Sequence, residues 1–275
     1  MPLSDADFAF IAREVRERTG LLIEPAHAAA VETKIAPIAR REGLISVNEL
    51  ITTARARRDE RLLETIAETL TSKDTWFFRD RAPFAYFRKT MVPEILSRRS
   101  DGKLRIWCAG CSTGQEPFSL AMTIEEMRNE GRAIDCEIIA TDISATALDK
   151  ASEGLFNQFE VQRGLPIRHL IAYFEKVGDL WRVLDRVRAC VKFEQRNILT
   201  DPAALGGFDI IFVRNVLNGL APEQAANALE LILGQLAEDG YIVFGDGETP
   251  DARFAPATLR GGVFTLKRTA AARAA

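Results

Sequence analysis

Apolar residues recur at helical spacing through the first 70 positions, and no stretch there alternates as a strand would. Phe8, Ile11 and Val15 follow a Ser4/Asp7 capping pair, with a natural stop at Gly20. A second stripe, Val31, Ile35 and Ile38, ends near Gly43. Ser46 and Glu49 form another capping box ahead of Leu50, Ile51 and Ala54, and a fourth stripe runs through Leu62, Leu63, Ile66 and Leu70. The pattern predicts four short helices. A bundle of about 70 residues buries too little apolar surface to be more than marginal alone.

Beyond residue 100 the period changes. Leu104–Cys108 is a short strand-like run, followed by the loop Gly110–Gly114 and a helix carrying Phe118, Leu120, Ala121, Ile124 and Met127. Strand-like runs return at Glu137–Thr141, Val191–Gln195, Asp209–Val213, Tyr241–Gly245 and Gly262–Leu266. Ser144 caps a helix through Leu148. Another helix starts at Pro222, carries Leu229, Ile232, Leu233 and Leu236, and is expected to end at Gly240. Strands alternating with helices predict an α/β fold with a doubly wound, mostly parallel sheet. The stretch 155–190 fits less well. Gly178-Asp179 sits there between Phe174–Val177 and Trp181–Leu184, which predicts a small antiparallel β insertion. The expected organisation is a helical domain over 1–75, a linker over 76–100 and an α/β domain over 101–275.

Composition narrows the chemistry. The 275 residues carry 36 Lys+Arg against 39 Asp+Glu, a net charge of -3 that argues against a general nucleic-acid binder. Four Cys make no disulfide framework, and two His argue against a histidine-rich metal site or a serine-type triad. The acidic first ten residues do not read as a signal peptide, and no apolar run of membrane-spanning length occurs. The expectation is a soluble, cytoplasmic protein that is not membrane-embedded. Positive charge is nevertheless concentrated at Lys34, Arg40, Arg41, Arg55, Arg57, Arg58 and Arg61. Charge alone leaves two readings open, solvated helix faces or a docking surface for an acidic partner.

In an open α/β sheet, ligands bind beyond the C-terminal strand ends at the topological switch point. The loop Gly110-Cys111-Ser112-Thr113-Gly114 lies at such an end, and Asp142 ends the next strand, placed to accept from ribose hydroxyls. Nicotinamide and S-adenosylmethionine enzymes share this arrangement. The loop lacks the G-x-G-x-x-G dinucleotide fingerprint. Glu116 stands at the start of the following helix, where a carboxylate would crowd a pyrophosphate but suits an ammonium. It is equally an ordinary first-turn Glu favoured by the helix dipole. Cys108 and Cys111 have neither a second CxxC nor a His pair to complete a metal site.

Three stretches are far more specific than the fold: Thr71–Asp80, containing Thr75-Trp76-Phe77-Phe78-Arg79; Arg105–Met122, containing Gly110-Cys111-Ser112-Thr113-Gly114-Gln115-Glu116-Pro117; and Phe208–Val216, ending in Arg214-Asn215-Val216. Ala140–Ser144 and Gln195–Leu199 fall between them in order. This set resembles the CheR-type chemotaxis receptor methyltransferases, which are protein-glutamate O-methyltransferases, over nearly the whole chain. The resemblance implies a methyltransferase domain using S-adenosylmethionine and releasing S-adenosylhomocysteine. It implies Lys73, Thr75, Arg79, Gly110, Glu116, Asp142, Asn197, Ile198, Arg214 and Asn215 as cofactor-binding residues, with Arg79 also beside the transferred methyl and no metal. It further implies a monomer at chemoreceptor arrays, docking on the receptor's cytoplasmic helices through basic residues such as Lys34, Arg40 and Arg41. Three positions depart from the pattern. Lys73 replaces a usual Asn, Gln115 a usual Glu, and Gly219 stands where a Tyr near methyl transfer is expected. The last leaves a second reading, a cofactor-binding regulatory or adaptor member of the family with weak or no methyl transfer.

Overall fold

The computed structural model describes residues 3–99, 102–248, 253–256 and 262–266. The chain divides into two compact units, Met1–Ser72 with Asn218–Ala228, and Lys73–Leu217 with Leu229–Ala275.

The first unit is helical. Its main elements are α1 (Asp5–Thr19), α2 (Ala28–Arg41), α3 (Val47–Arg57) and α4 (Glu60–Leu70). The expected caps form. Ser4 Oγ accepts from Asp7 N, Ser46 Oγ from Glu49 N, and Asp59 adds a third cap by accepting from Leu62 N. Every residue of the four predicted stripes is buried, and together they make one core. Each Leu or Ile enclosed in this way contributes about 1.5–3 kcal/mol of burial. The segment around Gly219 joins this unit by backbone hydrogen bonds, Leu22 N to Gly219 O (2.9 Å) and Ala221 N to Gly20 O (2.8 Å).

In the second unit the stretch expected as a linker is helical. Helix α5 (Ala82–Tyr86) passes through a π-helical turn into α6 (Val92–Arg98), and Phe84, Phe87, Met91 and Ile95 are buried. Pro83 and Pro93, each in a first helical turn, were the overlooked signal. Then follow β1 (Lys103–Ala109), α7 (Gln115–Asn129), β2 (Asp135–Asp142), α8 (Ala145–Glu153) and β3 (Leu155–Phe156). Next come α9 (Gln158–Gln162), α10 (Ile167–Tyr173), β4 (Phe174–Val177), β5 (Leu180–Val183), α11 (Asp185–Arg188), β6 (Val191–Gln195) and β7 (Phe208–Val213). The chain closes with α12 (Pro222–Leu233), β8 (Leu236–Phe244), β9 (Phe254–Pro256) and β10 (Val263–Leu266).

The main sheet has the order β6-β2-β1-β7-β8-β10-β9. The first five strands are parallel, and β10 and β9 add an antiparallel edge. The insertion is richer than a hairpin: β3 pairs with β5 to give a three-stranded sheet, accompanied by α9 and α10. One expected boundary is wrong. The helix from Pro222 stops at Leu233, and Gly240 lies inside β8. Phe208 pairs with Leu236 but Ile210 pairs with Tyr241, so the ladder slips there. A Cβ on Gly240 would come within 2.8 Å of Asp209 O, so glycine serves the close approach of two backbones in a bulge.

Because β2 and β6 extend the sheet to one side of β1 while β7 and β8 extend it to the other, the switch point lies between β1 and β7. The candidate residues collect at the C-terminal ends of these strands.

Candidate functional site

The loop after β1 turns sharply. Gly110 N and Cys111 N both donate to Thr141 O, at 2.8 and 2.9 Å, which ties the loop to the end of β2. Gly110 has φ 79° and Ser112 φ 51°. A Cβ on Gly110 would meet Val216 Cγ2 at 2.5 Å, so only glycine lets this loop lie against the one that follows β7.

Asp142 organises one half of the edge. Its Oδ2 accepts from Ser112 N (2.7 Å) and its Oδ1 from Ser144 N (2.9 Å), while its carbonyl accepts from Arg196 N (2.9 Å). Burial pushes its carboxyl above the usual range, against the opposing pull of these N–H groups and of Lys73. Lys73 donates to Thr146 Oγ1 (2.9 Å), and its carbonyl accepts from Ser112 Oγ (3.3 Å).

A buried charge network forms the other half. Arg214, with its side chain 2% exposed, donates from Nη1 to Glu116 Oε2 (2.9 Å). Its Nη2 donates to Arg79 O (3.1 Å) and to the carboxylate of Asp80. Burial raises the Glu116 carboxyl, and Arg214, then Arg79, pulls it back. Glu116 Oε1 accepts no hydrogen bond among the described residues. Arg79 lies over the Trp76 ring at 4.2 Å and donates to Asp74 O (3.1 Å), while its buried Nε has no partner. Thr75 is half-buried just before that ring.

The structure thus brings Lys73, Arg79, Gly110, Glu116, Asp142, Arg214 and Asn215 to one edge of the sheet. Asn197 and Ile198 follow β6 by two and three residues. Asn197 Oδ1 accepts from Leu199 N (3.0 Å) and so holds its own turn. The Ile198 side chain packs against the buried cluster of Trp107, Ile139 and Phe208. The chain's three Tyr all lie in the second unit and have partners of their own. Tyr241 donates to Glu94, Tyr86 packs edge-on to it at 6.4 Å, and Tyr173 packs on His169 at 5.8 Å.

Glu248 is the residue the sequence reading missed. Only 7% exposed, its carboxylate accepts from Asn215 N (2.8 Å), Val216 N (3.0 Å), Leu217 N (3.0 Å) and Gly245 N (2.7 Å). It clamps the loop on which Arg214 and Asn215 stand, with Asn215 at φ 61°. Its only signal was position, an acid just past a strand whose neighbour strand ends in the site.

Residues 73–255 match the family described as CheR methyltransferase, SAM binding domain. The chain is 30% identical over 250 residues to the chemotaxis protein methyltransferase of Vibrio anguillarum, covering 90% of each. It is 31% identical to that of Vibrio parahaemolyticus over the same shares. Chemotaxis protein methyltransferase 1 of Pseudomonas aeruginosa is 32% identical over 252 residues, 90% of this chain and 92% of the relative.

Proposed function

The chain belongs to the CheR methyltransferase family and is an S-adenosylmethionine-dependent methyltransferase of chemotaxis, and from that premise we propose that it methylates glutamate side chains on the cytoplasmic helices of chemoreceptors. The observation that carries this reading is the pair of half-buried carboxylates, Asp142 at the end of β2 and Glu116 at the start of α7, held apart at the C-terminal edge of the sheet by different partners. Their arrangement fits the cofactor. Asp142, fixed by two backbone N–H groups, would accept from the ribose hydroxyls. Glu116 has one oxygen on Arg214 and the other open for the methionine ammonium. When bound, the cofactor supplies an electrophilic methyl on a positively charged sulfur.

The acceptor needs no base. A free glutamate has a pKa near ~4.3 and is already ionised at neutral pH. With the cofactor bound, the carboxylate oxygen would take the methyl carbon while the carbon–sulfur electron pair would leave with the sulfur. No proton moves, so a chain with two His suffices. The protein's work is alignment and the exclusion of water. Arg79 is the residue for alignment. Its guanidinium is steadied by Trp76 and held by one bond from Nη1 to Asp74 O, which leaves Nη2 as the donor to aim an incoming carboxylate. Arg214, spent on Glu116 and Asp80, fixes the wall rather than the substrate.

For receptor docking we place Lys34, Arg40 and Arg41 of α2 against the receptor helices, with the protein acting as a monomer at the arrays. Among the basic residues that the sequence concentrates between Lys34 and Arg61, Arg55 is held by Asp7 (2.8 Å) and Arg61 by Glu42 (3.0 Å). Arg41 is 3.9 Å from Glu42. Lys34 and Arg40 are exposed and have no carboxylate partner among the described residues. Among those residues no helix is long and apolar enough to cross a membrane.

The test is incubation with receptor-bearing membranes and radiolabelled S-adenosylmethionine. Base-labile label on the receptor is expected, and Glu116→Ala should abolish it. Absence of label from a protein that still binds S-adenosylhomocysteine would overturn the acceptor assignment.

A further inference from the structure

Outside the cofactor edge, the second unit contains a cleft of about 420 Å³ between α5, α7 and the loop leading into α10. That size lies in the range of small-molecule sites. Its floor is apolar and aromatic. Phe84 and Leu165 are 4% and 9% exposed, and Phe78 lies edge-on to Phe84 at 5.3 Å and over His169 at 4.9 Å. Its rim is basic, with Arg81, Arg88, Lys89 and Arg168 against one acid, Glu126.

Two features of this cleft are unexplained by packing. His169 is only 3% exposed, yet neither ring nitrogen makes a hydrogen bond. Glu126 Oε1 approaches Nε2 to 3.2 Å without the alignment a hydrogen bond needs, and Nδ1 has no partner at all. Buried polar groups are almost always satisfied, and an exception at a cavity wall calls for a ligand. Burial pulls the imidazole's pKa below its usual value against the opposing pull of Glu126, and a neutral ring carries one donor and one acceptor. The second feature is unbalanced charge. Arg88 lies 3.9 Å and Arg168 3.8 Å from Glu126, and Arg88 also pairs with Glu130. That leaves Arg81 and Lys89 exposed on the rim with no carboxylate partner among the described residues.

We propose that this cleft is a second binding site, for a small planar aromatic anion. Its ring lies against Phe78 and Phe84, its edge exchanges hydrogen bonds with His169, and its phosphate or carboxylate is held by Arg81 and Lys89. A flat π-face suits the aromatic floor, and a cleft lined by cations concentrates anions from solution. A nucleoside monophosphate and an aromatic carboxylate both have this chemistry.

The test uses the full chain saturated with S-adenosylhomocysteine, so that the cofactor site cannot take the probe. GMP, AMP, indole-3-acetate and 4-hydroxybenzoate are titrated calorimetrically, alongside guanosine, adenosine and inorganic phosphate. At least one aromatic anion is expected to bind one-to-one with a dissociation constant below about 1 mM. It should bind about tenfold or more tighter than inorganic phosphate, and a nucleotide by the same margin over its nucleoside. Which arm binds names the source. Arg81→Glu with Lys89→Glu, both exposed side chains, should weaken binding by about tenfold or more. With two His in the chain, the His169 ring resonances can be followed by nitrogen-15 NMR and should shift on binding while those of His27 do not. The proposal fails if no aromatic anion binds, if the double charge reversal leaves binding unchanged, or if His169 does not respond.

Discussion

Charge is used in opposite ways in the two units. At the strand ends of the α/β unit, Arg214 is 2% exposed and its partner Glu116 13%, and Glu248 is buried against four backbone N–H groups. On the helical unit, Arg41 and Arg61 are 62% and 65% exposed, and Lys34 and Arg40 lie open to solvent. A buried charge must find its partners within a fraction of an ångström or pay the full desolvation penalty. An exposed one acts only through its field, which salt screens. The first kind therefore fixes geometry, and the second can at most bias an encounter.

The sharpest way to break this contrast is to remove the clamp. Glu248→Ala leaves the buried backbone donor of Gly245 and the part-buried donors of Asn215, Val216 and Leu217 without their acceptor. A stability loss of about 3 kcal/mol is expected, seen as a melting temperature lower by roughly 6–12 °C, together with loss of S-adenosylhomocysteine binding. A melt superimposable on that of the unaltered protein would mean the loop needs no clamp. Next in size is Arg214→Met, which keeps the stem but leaves Glu116 and Asp80 without their shared cation. Breaking a buried pair in this way costs about 3 kcal/mol or more, so cofactor affinity should drop by about a hundredfold. An unchanged dissociation constant would reduce Arg214 to a packing residue.

The same contrast explains what the sequence disclosed. Helical stripes such as Leu62, Leu63, Ile66 and Leu70 are periodic, and each was buried as expected. Asp142, at the end of β2, and Glu116, in the first turn of α7, were visible because each stands where a periodic element ends or begins. Asp80 and Glu248 were not. Their roles depend on which loops the sheet order β1-β7-β8 makes neighbours, and no local spacing encodes that order. Gly240 misled for a related reason. A glycine after an apolar run reads as a helix stop, and only the slip of β8 against Asp209 shows that it permits a bulge. Basic residues in the first unit read as one patch in sequence. In space Arg55 and Arg61 are held by carboxylates from other helices, which leaves the patch smaller.

Acid sharpens the comparison further, because burial raises both Glu116 and Asp142. For a carboxyl whose folded pKa is raised, the folded state holds the proton more tightly than the unfolded one. Its burial therefore costs stability above the folded pKa, and that cost is relieved as pH falls through it. Binding the cofactor's ammonium and hydroxyls calls for the ionised forms, so affinity should fall in the same window, just above the ordinary carboxylate range. Calorimetric titration with S-adenosylhomocysteine, repeated downward from neutral pH, should show affinity weakening before the fold does. In Arg214→Met the onset should move to higher pH, since the chief group pulling Glu116 back is gone. Affinity flat across that window would mean that neither carboxylate contacts the cofactor.

The smallest effect on the molecule belongs to the exposed charges. Lys34→Glu with Arg40→Glu removes no buried contact, so melting temperature and S-adenosylhomocysteine affinity should stay as they were. What should change is the encounter with an acidic receptor. At low salt the KM for receptor methylation is expected to rise by about tenfold with kcat unaltered. The difference should shrink as ionic strength approaches about 1 M, where the screening length is about 3 Å. A rise in KM that persists undiminished in high salt would mean that these side chains make close contacts rather than supply a field, and the division of labour between buried and exposed charge would not hold.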